Sequence, residues 1–283
     1  MKLIIESGAT KTQWAVLDGK EVVDNFYTPG INPYYLGAEE IHDLVDEAIP
    51  DSFADLTVTQ IFFYGTGCST PENCVLVKAV LGNFFKEASI SVQHDLDGAA
   101  LALLKDKKGI ACILGTGSNS CLWNGHEIVE KVPSLGYFLG DEGSGTFVGK
   151  LLLKAFLSGD VNEELTKKFY TYVGMNFSEI LHKIYKDSLA NLWVAGLAKF
   201  ASANIHEPVI QHIVRHNFQE FVSQQLTKYT DYQELEISFV GSVAFYFQDI
   251  LSEVLAEHHL KMGRVSQAPM EGLIEFHTRN SFN

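Results

Sequence analysis

Three short apolar-rich runs open the chain, each closed by a turn. KLIIE (2–6) reads as a strand and SGATK (7–11) as a turn. TQWAVLD (12–18) alternates apolar and polar positions, GKE (19–21) turns again, and VVDNFYT (22–28) reads as a third strand, completing a β-meander. After the loop PGINPYY (29–35) the period changes. AEEIHDLVDEAI (38–49) places Ile41, Leu44, Val45, Ala48 and Ile49 on one face of a helix. TQIFFYGTG (59–67) predicts a strand ending in glycine, ENCVLVKAVLGNFF (72–85) a helix, SISVQHD (89–95) a strand and LDGAALALLKD (96–106) a helix.

From Gly109 the opening pattern is repeated. IACILG (110–115) predicts a strand, TGSN a turn and SCLWNG (120–125) a strand with Asn124-Gly125 as a hairpin turn; HEIVEKV (126–132) follows as a third strand. The meander of residues 2–27 thus recurs at about 109–132, with a Gly/Thr/Ser turn at the same point in each copy. This is an internal duplication of a three-stranded unit within an α/β chain. Residues 145–283 read as mostly helical, with one clear strand in LEISFVGSVAF (235–245) running into the helix FQDILSEVLAEHHL (247–260). The closing SQAPMEGLIEFHTRN (266–280) is amphipathic and is expected to dock on the first lobe. The expected domains are 1–107, completed by about 267–283, and 108–266.

Charge narrows the range of partners. With 21 Lys and Arg against 35 Asp and Glu, the net charge of −14 repels a phosphate backbone, so nucleic acid is not expected as a partner. An anionic small ligand would need local help from a metal ion, backbone N–H groups or a helix N-terminus. No apolar run approaches the roughly 20 residues of a membrane helix, and MKLIIESGATK lacks the form of a secretory signal. The expectation is a cytoplasmic protein without a membrane partner. Cys68, Cys74, Cys112 and Cys121 show neither CxxC nor zinc-ligand spacing, and Cys112 and Cys121 sit in apolar strands as small buried thiols would.

The candidate chemistry lies in the turns. ESGAT and GTGSNS each fall between two strands, so neither is a P-loop, but a hairpin turn can form an anion nest from successive N–H groups. Each could equally be a plain turn. Two in duplicated positions could clamp a polyphosphate, with Thr10, Thr116 and Ser118 adding hydroxyl donors. Glu6 precedes the first turn, as a surface acid or as a carboxylate beside a cation such as Mg²⁺. Asp95 ends a strand and heads a helix, as an N-cap or as a general base at the strand's C-terminal edge, with Asp97 its rival. In GDEGSG (140–145) Asp141 and Glu142 are either a loop and helix cap or a site for a metal or for sugar hydroxyls. FVGSVAF (239–245) joins strand to helix through Gly241 in a shape that admits a flat ring.

Taken in order, ESGATKT, HDLDG, LGTGSNS, LGDEGSG and FVGSVA resemble N-acetylglucosamine kinases and their relatives among the BadF/BadG/BcrA/BcrD-type ATPases, over essentially the whole chain. The resemblance implies two duplicated actin-like (ribonuclease H-like) lobes with a central cleft. It implies ATP and Mg²⁺, an amino-sugar substrate and a homodimer. By the same resemblance Gly8, Thr10 and Lys11 form the first phosphate turn, with Glu6 near Mg²⁺. Gly115, Thr116 and Gly117 form the second turn, and Gly241 lies at the adenosine end. Asp95 is the catalytic base; Asn32, Asn119, Gly136 and Asp141 join it in contacting the sugar. The implied reaction moves the γ-phosphoryl group of ATP to a sugar hydroxyl, with O6 of N-acetylglucosamine as the first expectation. Glucosamine, N-acetylmuramate and N-acetylmannosamine stay open, as does a redox-activator ATPase. Ser134-Leu135-Gly136 stands where N-acetylglucosamine kinases tend to carry Gly-Trp-Gly, which leaves the identity of the sugar open.

Overall fold

The structure, a computed structural model, describes residues 1–49 and 57–279. The chain divides into two compact units. One comprises residues 1–106 with 125–127 and the segment from Ala268 on; the other comprises 107–124 and 128–267.

The first unit runs β1 (Lys2–Ser7), β2 (Lys11–Asp18), β3 (Glu21–Pro29), α1 (Ala38–Ala48), β4 (Gln60–Gly65), α2 (Pro71–Phe84), β5 (Ser89–His94) and α3 (Asp95–Leu103). Its sheet has the order β3-β2-β1-β4-β5, antiparallel through the meander and parallel from β1 to β4 to β5. Because β1 is buried on both faces it is a continuous apolar run rather than an alternating one. Leu3 and Ile5 pack with Trp14, Ile41, Phe63, Val77 and Leu81 on the face covered by α1 and α2. Ile4 faces the other way, into a cluster with Ala15, Leu17, Tyr64 and Ala102.

The second unit repeats this plan. It holds β6 (Gly109–Leu114), β7 (Ser118–Trp123), β8 (Ile128–Lys131), α4 (Gly136–Leu139) and α5 (Gly145–Leu157). Four helices follow, α6 (Glu163–Val173), α7 (Phe177–Lys186), α8 (Ala190–Gly196) and α9 (Ala198–Ala203). Then come α10 (Pro208–Gln224), β9 (Glu236–Val240), α11 (Ser242–Tyr246), α12 (Gln248–Glu257) and β10 (Lys261–Ser266). Its sheet has the order β8-β7-β6-β9-β10, the first sheet's order strand for strand. The duplication therefore extends beyond the meander to the whole five-stranded α/β sheet. Its core gathers Ile110, Leu114, Val148, Phe156, Phe169, Val214, Phe218, Phe221 and Phe239.

The last helix, α13 (Met270–Arg279), belongs to the first unit. It packs on α3 at a close crossing, where a Cβ on Gly272 would stand 2.4 Å from the Ala102 carbonyl oxygen. His277 fixes it further: the ring stacks on Phe62 with centroids 4.0 Å apart and its Nε2 lies 2.9 Å from the Tyr64 hydroxyl. Burial holds this imidazole's pKa down at about 4, so it is neutral in the working range.

The C-terminal half carries two strands, not one. KMGRVS forms β10 beside β9, with a register shift between Met262 and Val265. Its central Gly-Arg breaks the apolar alternation, which is how such an edge strand escapes a search for period two. Asp95 is also not the cap of α3. His94 caps it, its Nδ1 accepting the Leu96 N–H at 3.2 Å, and Asp95 is the first helical residue.

Candidate active site

In the first unit the residues after β1 are organised by two buried hydroxyls. Ser7 Oγ lies 2.8 Å from Thr12 Oγ1, donates to the Ile31 carbonyl at 3.0 Å, and accepts the Ile31 N–H at 2.9 Å. Thr12 Oγ1 donates to the Pro29 carbonyl at 3.0 Å. The turn of Gly8, Ala9, Thr10 and Lys11 closes on a Gly8 N–H to Lys11 carbonyl bond of 3.0 Å. The 29–32 loop crosses it so closely that a Cβ on Gly30 would meet the Gly8 carbonyl oxygen at 2.6 Å. This network seats Asn32 beside the turn. Asn32 Oδ1 accepts the Tyr34 N–H at 3.0 Å, and a Cβ on Gly67, whose φ is +82°, would strike that oxygen. Thr10 and Lys11 are exposed, the Lys11 ammonium 4.8 Å from the centre of the Tyr27 ring.

Glu6 and Asp95 stand at the C-terminal ends of the parallel strands, as the open end of an α/β sheet requires for a site. Burial, then the nearby Asp95 charge, pushes the Glu6 pKa from 4.5 to about 7 against the opposing pull of Lys11. Asp95 Oδ1 is buried without a hydrogen-bond partner. His94 Nδ1 lies 3.0 Å away, but in the tautomer that caps α3 it is already an acceptor and has no proton to offer. The buried Glu6 carboxyl thus lies near a second carboxyl group, Asp95, one oxygen of which has no hydrogen-bond partner. Among the described residues no set of three or more His, Cys, Asp or Glu gathers as a metal cage.

In the second unit the GTGS turn and the GDEGSG segment are braced together. Within the turn, Gly115 N–H donates to the Gly117 carbonyl at 3.0 Å. From the segment, Gly145 N–H reaches the Gly115 carbonyl at 2.8 Å and Thr146 N–H the Thr116 carbonyl at 3.1 Å. Thr146 Oγ1 adds a bond of 2.6 Å to the same Thr116 oxygen. Asp141 sits in the left-handed region at φ +63° with its carboxyl against Gly117 and 3.4 Å from the Ser118 nitrogen. Burial raises its pKa, opposed by the Ser118 N–H and Lys150. Gly143, at φ +88°, donates its N–H to Asn217 Oδ1 of α10 at 2.9 Å, and Asn217 is completely buried. Gly241 also adjoins the turn: its φ is +122°, and a Cβ there would lie 2.3 Å from the Leu114 carbonyl oxygen. Asn119 bonds the following backbone, its Oδ1 accepting the Ser120 N–H at 3.0 Å. Gly136 begins the exposed α4.

Each unit thus assembles its own set of the expected residues. Glu6, Gly8, Thr10, Lys11, Asn32 and Asp95 cluster around the ends of β1, β4 and β5. Gly115, Thr116, Gly117, Asp141 and Gly241 cluster around the end of β6. Four further residues organise the turns: Ser7 and Thr12 within ESGATKT, and Thr146 and Asn217 outside the motifs. Ser144 of GDEGSG caps α5 by accepting the Phe147 N–H at 3.1 Å and is fully buried. Ser144→Ala should cost about 1 kcal/mol, read as a fall in Tm of roughly 2–4 °C. A Tm unchanged by the substitution would mean that the bond to the Phe147 N–H adds no net stability.

These geometries define a two-unit α/β fold of the actin-like sugar-kinase type. A candidate N-acetylglucosamine kinase from Porphyromonas gingivalis is 37% identical, with a TM-score of 0.94 and 99% of both chains covered. The chain belongs to that family of N-acetylglucosamine kinase-like proteins. A curated N-acetylmuramic acid/N-acetylglucosamine kinase from Clostridium acetobutylicum is 23% identical, over 70% of this chain and 69% of the relative. A ROK family glucokinase from Streptomyces griseus, solved with glucose and AMPPNP, shares the fold at 14% identity, with a TM-score of 0.61 and 97% of both chains covered. No protein-family model matches the chain. None of the described helices is long and apolar enough to cross a membrane.

Proposed function

We propose that this protein is an ATP-dependent amino-sugar kinase, transferring the γ-phosphoryl group of ATP to a sugar hydroxyl, with O6 of N-acetylglucosamine as the acceptor. One observation carries the reading: the likeness to the Porphyromonas protein extends over 99% of both chains at 37% identity. We extend the family assignment to the BadF/BadG/BcrA/BcrD-type ATPases on the order of the five motifs. A cytoplasmic homodimer is part of the same reading.

The roles follow from chemistry. Asp95 is the base that takes the proton of the attacking hydroxyl; a buried carboxylate oxygen without a partner supports this. Gly8, Thr10 and Lys11 in one turn, and Gly115, Thr116 and Gly117 in the other, hold phosphates through backbone N–H groups and hydroxyls. Gly241 faces the adenosine. Asn32, Asn119, Gly136 and Asp141 take the sugar. Glu6 is the residue for Mg²⁺, which neutralises phosphate charge when bound. The fit is chemical: Mg²⁺ takes one or two carboxylates with waters and phosphate oxygens, and Glu6 stands near Asp95, whose buried Oδ1 has no hydrogen-bond partner.

The test is ADP release from Mg·ATP with N-acetylglucosamine, glucosamine, N-acetylmuramate and N-acetylmannosamine. Stimulation by one of these names the substrate. ADP release that none of them stimulates would sink the amino-sugar kinase reading.

A further inference from the structure

Thr146 has no place in the roles above, yet it makes the shortest of the bonds between the two braced segments. It is the second residue of α5 and is 1% exposed. Its N–H and its hydroxyl both converge on one atom, the Thr116 carbonyl oxygen, at 3.1 and 2.6 Å. The N–H at such a position is ordinarily one of the orphan donors of a helix start. Here it is spent on the turn, and the side chain doubles it.

The consequence follows from peptide geometry. In a trans peptide the C=O and the following N–H point in opposite directions. Pulling the Thr116 carbonyl toward α5 therefore turns the Gly117 N–H away from it. The neighbouring peptide is held the same way, because the Gly115 carbonyl accepts the Gly145 N–H at 2.8 Å and so turns out the Thr116 N–H. Among the described residues neither the Thr116 nor the Gly117 N–H has a backbone acceptor. Two successive N–H groups turned to the side away from α5 are the working part of an anion nest.

We infer that Thr146 is a positioning residue for nucleotide phosphate, orienting the Gly117 N–H through its two bonds to the Thr116 carbonyl. This rests on the kinase reading, in which the 115–117 turn holds phosphate. The hydroxyl acts on phosphate and not on the nucleoside, which separates it from a residue that only stabilises the unit.

Calorimetric titration with ADP in Mg²⁺ and with adenosine tests this. In Thr146→Val the ratio of ADP to adenosine affinity should fall about five- to tenfold, as expected for loss of one hydrogen bond to a buried group. Thr146→Ser keeps the donor and should hold the ratio within twofold. Thr146→Cys, smaller and a weak donor, should behave as the valine variant does and serves if valine cannot be accommodated. A ratio unchanged in valine or cysteine, or an adenosine affinity that falls as far as that for ADP, overturns the inference. So does a serine variant as impaired as valine, which would assign the effect to the methyl group. A wild type that binds no ADP overturns the kinase reading together with this inference; normal ADP binding with an unchanged ratio overturns the inference alone.

Discussion

Asp95→Asn should lower kcat for sugar-stimulated ADP release by about 10²–10⁴-fold, the range that general-base catalysis supplies, while the KM for the sugar moves by only a few-fold. The amide matches the carboxylate in size and can still accept a hydrogen bond, but it cannot take a proton. Asp95 is the first residue of α3, and the cap is provided by His94, so the helix keeps its start. The substitution has a second readout that does not involve turnover. The Asp95 charge is one of the two causes that raise the Glu6 pKa, so removing it should lower the Glu6 pKa toward 4.5, measured by carboxyl NMR. A variant that keeps a tenth or more of wild-type kcat would remove Asp95 from the role of base. A Glu6 pKa that stays put would mean that burial, against the pull of Lys11, sets it without Asp95.

Periodicity made the scaffold legible. β1 and β6 are continuous apolar runs, their partners β2 and β7 are buried almost throughout, and glycine-bearing turns separate them, so both meanders could be read from pattern and the duplicated turns followed. β10 could not be read this way, because Gly263 and Arg264 interrupt the alternation that identifies a strand. The cap of α3 was misplaced by one residue because Asp outranks His as a capping residue in general, whereas here the imidazole does the capping. The turns themselves were visible as glycine clusters, but what fixes them was not. Ser7 and Thr12 are hydroxyls at buried strand positions, and their partners are the backbone of a loop some twenty residues on. Thr146 and Asn217 act on carbonyls and N–H groups 30 and 74 residues away. Such bonds depend on tertiary placement, and nothing in local composition distinguishes these side chains from ordinary helix residues.

Glu6→Gln should stabilise the magnesium- and nucleotide-free protein by about 2 kcal/mol at pH 8 and change its stability little at pH 4.5 or below, while lowering activity. A carboxyl whose folded pKa is raised binds its proton more tightly in the folded state. Its contribution is therefore fully present below the unfolded pKa of 4.5 and is lost as pH rises through about 7. A shift of that size is worth about 3 kcal/mol at 1.36 kcal/mol per pKa unit, and residual solvent access reduces the expectation to about 2. Glutamine has nothing to ionise, so the gap between variant and wild type should open across pH 4.5 to 7, measured by urea unfolding at fixed ionic strength. Adding Mg²⁺ with ADP should close part of the gap at pH 8, because a cation beside Glu6 stabilises its charged form in the wild type only. An alkaline penalty of this kind is hard to account for if Glu6 serves only the fold, since glutamine would serve better. It is expected if the carboxylate is held buried near a second carboxyl group until a cation arrives. Equal stabilities at pH 4.5 and pH 8 would show that Glu6 ionises freely, and with that the physical case for a cation at this position would fail.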